Sequence, residues 1–82
     1  MTYFYELRSF NHKGECYDVR EYGKQADAMN RFDAMVATTK NVRQALIEKG
    51  LTTAFLATEM QLVKRDDNYL GLEELANWKA GA

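Results

Sequence analysis

The stretch from Lys24 to Lys49 constrains this chain more than any other. Met29, Phe32, Val36, Thr39, Val42 and Leu46 recur at steps of three or four residues, which is one face of a 3.6-residue repeat. Asn30, Arg31, Asp33, Lys40, Asn41 and Glu48 fall mostly on other faces. Gly50 follows directly, and glycine takes the positive φ that ends a helix without steric cost. Asp27 suits the first turn, where a carboxylate meets the positive end of the helix dipole. As one rod this helix would run about 39 Å at 1.5 Å per residue. That is long for a chain of 82 residues. Its weakest part is Ala37-Thr38-Thr39-Lys40-Asn41, because β-branched residues lose rotamer freedom and Asn41 can cap a new helix. The expectation is one long or broken helix, with a break separating 24–38 from 41–49.

Before the helix, residues 2–10 alternate. Tyr3, Tyr5, Leu7 and Ser9 point one way, and Phe4, Glu6, Arg8 and Phe10 the other. His12-Lys13-Gly14 reads as a hairpin loop with Gly14 in its left-handed position, and 15–22 as the return strand. Pairing Asn11 with Glu15 sets Phe10 against Cys16, Ser9 against Tyr17, Arg8 against Asp18, Leu7 against Val19, Glu6 against Arg20 and Phe4 against Tyr22. That register makes opposite-charge and aromatic cross-strand pairs. It buries Tyr3, Tyr5, Leu7, Tyr17 and Val19 under the helix. It leaves Phe4, Glu6, Arg8, Phe10, Cys16, Asp18, Arg20 and Tyr22 at least half wet.

After Gly50, residues 51–64 fit either a strand or a helix. Thr52 and Thr53 precede the apolar run, and a lone hairpin needs a third strand to be stable, so strand is preferred. Lys64-Arg65-Asp66-Asp67-Asn68 reads as a polar turn. Leu72, Leu75 and Trp78 suggest a short amphipathic helix over 71–79. The expected fold is one α+β domain, 1–82, in the order β-β-α-(α)-β-α. A right-handed crossover puts the third strand beside the first, giving a three-stranded antiparallel sheet of order 2-1-3 with the long helix on one face.

Charge narrows the partner classes. Eleven basic against twelve acidic side chains give a net charge of −1. Nucleic-acid binders carry a basic excess, because phosphate contacts supply most of the affinity. No run of eighteen apolar residues exists to span a membrane. The single cysteine allows no internal disulfide and suits a reducing compartment. With no signal-peptide pattern either, the expected location is the cytoplasm.

No catalytic set emerges from the residue types. His12 is the only histidine and falls in the hairpin turn, where a surface role outweighs that of base or ligand. Cys16 lacks a base beside it and reads as a strand thiol. Asp66-Asp67-Asn68 lacks the alternating acids of a cation loop. The glycines are scattered and form no phosphate loop. No catalytic, cofactor-binding or metal residue is expected, and no cofactor.

What remains is an apolar surplus. Phe4, Phe10, Tyr22 and Phe55, with Arg8, Asp18 and Arg20 between them, form the candidate partner-binding surface. Burial of these aromatics by the C-terminal segment is the plainer alternative. In layout, from the aromatic hairpin Tyr3–Tyr22 through one central helix, the chain resembles the small α+β regulators of phages and mobile elements, anti-CRISPR proteins among them. The resemblance implies a non-enzymatic inhibitor that binds and blocks a larger host protein, and it transfers no residue roles. Two other readings compete: a single-stranded nucleic-acid binder using the hairpin face, and a small metabolite sensor or enzyme subunit. The second strand should lie at a sheet edge, so a homodimer through that edge, or through the third strand, is also expected.

Overall fold

The computed structural model describes residues 2–66 and 72–81. Its elements follow the order β1 (Tyr3–Phe10), β2 (Cys16–Tyr22), α1 (Gln25–Glu48), β3 (Glu59–Asp66) and β4 (Leu72–Lys79). The strands form one four-stranded antiparallel sheet, ordered β2-β1-β3-β4. The fold is thus α+β with β3 beside β1, as the crossover argument requires. It departs from expectation in having a fourth strand where a C-terminal helix was read. The polar turn read over 64–68 is strand as far as Asp66, and its remainder lies outside the described residues.

Two β-bulges explain most of the differences. At the loop end of the hairpin the expected pairing holds: Asn11 N–H donates to the Glu15 carbonyl at 2.9 Å, and Phe10 faces Cys16. The register then slips between Ser9 and Phe10, leaving Tyr17 as the extra residue. From there Ser9 faces Asp18, Arg8 faces Val19, Leu7 faces Arg20 and Tyr5 faces Tyr22. A one-residue slip sends every later side chain to the other face of the sheet. Tyr17 and Val19, expected under the helix, are therefore exposed, as is Tyr3 at the strand start. Asp18, Arg20 and Tyr22 lie on the helix side instead. The expected cross-strand ion pairs give way to pairs along each strand, Glu6 with Arg8 at 3.1 Å and Asp18 with Arg20 at 3.2 Å.

The second bulge lies in β4. Pairing runs Val63 to Glu74 and then Leu62 to Ala76, so Leu75 is the extra residue. A bulge turns a two-residue alternation into a local step of three. Here the helix side steps from Glu73 to Ala76, and Leu72 and Trp78, which a helix would set on one face, lie on opposite faces of the sheet. As a strand, this segment satisfies the outer backbone groups of β3, which a helix would have left as an open edge. Covered on both sides, β3 offers no edge for dimerisation; β2 and β4 are the edges.

The helix is unbroken across Ala37–Asn41. Threonine and asparagine cost at most about 0.7 kcal/mol each against alanine, too little to forfeit several backbone hydrogen bonds without a proline or glycine. Its end is a Schellman motif: Gly50 at φ 69° donates to Ile47 at 3.0 Å, and Leu51 donates to Leu46 at 2.9 Å. On the sheet's helix side, Tyr5, Leu7, Met60 and Leu62 pack with Ala28, Phe32 and Ala57 as the core. Tyr22, Met29, Met35, Val36, Leu75, Ala76 and Trp78 pack around it, half-buried.

Candidate functional site

Helix and sheet do not match in length. Twenty-four residues of helix reach about 36 Å, and eight-residue strands about 26 Å. The helix starts beside the end of β2 and outruns the sheet at the opposite end, where β1 and β2 meet in the hairpin turn. The molecule is accordingly elongated, 49 × 24 × 19 Å. Toward that end Leu46, the last residue of the stripe, is half-buried, while apolar residues flanking it are exposed. Val42 is 39 % exposed, Ile47 56 % and Leu51 55 %.

The chain then returns through 51–58 to begin β3. Both ends of this loop are tied, the first by the Leu51 N–H, which donates to the Leu46 carbonyl at 2.9 Å. Arg43 Nη2 donates to the Ala57 carbonyl at 2.7 Å. Thr58 N–H donates to the Phe10 carbonyl at 2.9 Å, and its hydroxyl to the Asn11 carbonyl at 2.8 Å. Between these anchors Leu56 N–H donates to the Thr53 carbonyl at 3.0 Å, closing a turn with Ala54 and Phe55 at its tip. Turn tips favour glycine, proline, asparagine, aspartate and serine for backbone reasons. No such reason calls for phenylalanine. Phe55 is 67 % exposed at that tip.

The residues singled out from sequence are dispersed. Phe4, Arg8 and Phe10 lie on the sheet face away from the helix, each half-buried. Asp18, Arg20 and Tyr22 lie on the opposite side, and Phe55 stands apart on the return loop. No family model, curated protein or solved structure matches this chain. Its function therefore has to be read from its own surface.

The face away from the helix is dominated by Glu6, 5 % exposed. Its carboxylate accepts from Arg8 Nη2 at 3.1 Å and from Arg65 Nη1 at 3.1 Å. Val63 is fully buried on the same face. Gln61 donates to Glu74 at 2.7 Å and Asn77 to Glu59 at 2.8 Å, extending the polar cover. On this face arginine charge is directed inward at Glu6, while the apolar residues Phe4, Phe10, Val19 and Leu72 lie around it.

His12 and Cys16 are both exposed near the hairpin turn, and no hydrogen bond joins them among the described residues. Among the described residues no helix is long and apolar enough to cross a membrane. The residues that sequence reasoning missed are Ile47 and Leu51, and it placed Val42 on the core stripe. The signal was available: a helix of this length cannot be covered by strands of eight residues.

Proposed function

We propose that this protein is a non-enzymatic protein-binding module, a regulator or inhibitor that works by occupying a surface of a larger protein. Its contact surface is the apolar end formed by Val42, Ile47, Leu51 and Phe55. The observation that carries this reading is Phe55, 67 % exposed at the tip of an anchored turn. A large aromatic held in the open by hydrogen bonds on both sides adds nothing to the fold, and exposed apolar clusters mark interaction sites. Anchoring also lowers the ordering cost of binding. The outer sheet face gives less support to single-stranded nucleic-acid binding, because Arg8 and Arg65 converge on Glu6 rather than on open solvent.

A photo-crosslinker placed at Leu51, exposed on the same apolar end, should capture a defined partner from extracts of the source cell. A crosslinker at Glu73, on the edge strand β4, should not. Phe55→Asp should abolish the capture while circular dichroism stays unchanged. Equal capture from both positions, or capture that survives Phe55→Asp, would defeat the proposal. Sedimentation at micromolar concentration covers self-association. A dimer that persists in Phe55→Asp but dissociates on Val19→Pro would transfer the contact to the β2 edge.

A further inference from the structure

Beside the apolar end, the second half of α1 and the last residues of β4 enclose an open cavity of about 470 Å³. Ligand pockets typically measure about 300–1,000 Å³. Lys40 and Arg43 line it from the helix, and Lys79 from the strand. Among the described residues no carboxylate lines it, and neither lysine makes an ion pair. Two acids are hydrogen-bonded to lining residues: Glu48 accepts from Gln44 at 3.2 Å, and Glu59 from Asn77 at 2.8 Å.

Arg43 is held in place by its bond to the Ala57 carbonyl, yet its Nε–H is buried with no acceptor. A buried donor without a partner is costly and rare. Trp78 supplies a flat indole wall, half-buried against the core, and Ile47 an aliphatic one. Cationic side chains that line one cavity with an aromatic plane suit a ligand with one anionic end and one apolar end.

We propose that this cavity binds a small apolar anion, with one carboxylate or phosphate on a flat hydrophobic body. The head group lies among Lys40, Arg43 and Lys79, and the body lies against Trp78 and Ile47. The site shares Ile47 with the protein-binding surface, but Lys40, Lys79 and Trp78 belong to the cavity alone, so the two proposals can fail separately.

Trp78 is the chain's only tryptophan, so its emission reports on the cavity wall directly. The probes are phenylacetate and phenyl phosphate, with 2-phenylethanol and phenethylammonium as uncharged and cationic counterparts. Either anion should shift Trp78 emission saturably, with a dissociation constant on the order of 1 mM for so small a fragment. The alcohol should bind at least about tenfold more weakly, as should either anion to Lys40→Gln or Lys79→Gln. Lys24→Gln, at the other end of the helix, should bind as the parent does. Response to only one anion supports the site and names its head group. The proposal is overturned if the alcohol or the ammonium binds as well as the anions, or if Lys24→Gln weakens binding as much as the cavity lysines do. Binding unchanged in both cavity variants overturns it too, as does an absence of saturation at roughly ten times the expected concentration.

Discussion

The two halves of α1 carry the same apolar stripe and meet opposite fates. In the first half Ala28 and Phe32 are buried, and Met29, Met35 and Val36 are half-buried against the sheet. In the second half no residue is buried, and Val42 and Ile47 are exposed. The pattern is continuous, but the partner is not, because the strands end first. Hydrophobic periodicity states which face of a helix is apolar. It does not state what, if anything, covers that face. Where a stripe continues past its sheet, either a loop must cap it or another molecule must, and here the return loop adds Phe55 instead of hiding Ile47.

The largest expected contrast comes from truncating one residue in each half. Phe32→Ala should cost about 3–5 kcal/mol, as large-to-small changes in packed cores do. Ile47→Ala, at a surface position, should stay within about 0.5 kcal/mol. Urea denaturation of both variants measures the difference, and similar losses would mean that the second half is packed after all.

Arg43 is the main polar tie between the second half and the return loop. Arg43→Met should keep the aliphatic stem but leave the Ala57 carbonyl unpaired, at a cost of about 1–3 kcal/mol. Amide exchange should accelerate through the second half of the helix and at 51–58 while residues 28–36 remain protected. Uniform acceleration along the helix would erase the distinction between the halves.

Gly50 tests the end of the helix. A Cβ there would meet nothing within 4 Å, so Gly50→Ala isolates the backbone cost of φ 69°. That cost should be about 1 kcal/mol, read as a lower denaturation midpoint at unchanged slope. The smallest effect runs the other way. Asn41 is exposed in the half held mainly by its own backbone, so Asn41→Ala should stabilise by up to about 0.7 kcal/mol. Loss of stability instead would show that Asn41 makes a contact the fold depends on.

Much of this architecture is legible in the residues. The hairpin turn at Gly14, the helix stop at Gly50, the order of the first three strands and the burial of Tyr5 and Leu7 all follow from local chemistry. What misleads is the assumption of a constant period. Tyr17 and Leu75 each break the two-residue alternation, and a bulge leaves no mark of its own in a single sequence. The first moves Asp18, Arg20 and Tyr22 off the face they were assigned to with Phe4, Arg8 and Phe10. The second separates Leu72 and Trp78 onto opposite faces of the sheet. Of the candidate surface, Phe55 remains the residue whose exposure singles it out.

The chain's own residues determined where the helix begins and stops and that an aromatic hairpin precedes it. These are decided within a few residues, by φ preference and alternation. The expected pairs Arg8 with Asp18 and Glu6 with Arg20 do not form; each arginine meets the acid two residues away on its own strand. Only the tertiary structure decided which charges pair, that 72–79 becomes a strand, and that Val42 and Ile47 stay exposed while Leu46 is half-buried. Each of those depends on what lies across a gap in space: the open edge of β3, the slipped register at Tyr17, and a sheet about 10 Å shorter than the helix packed on it.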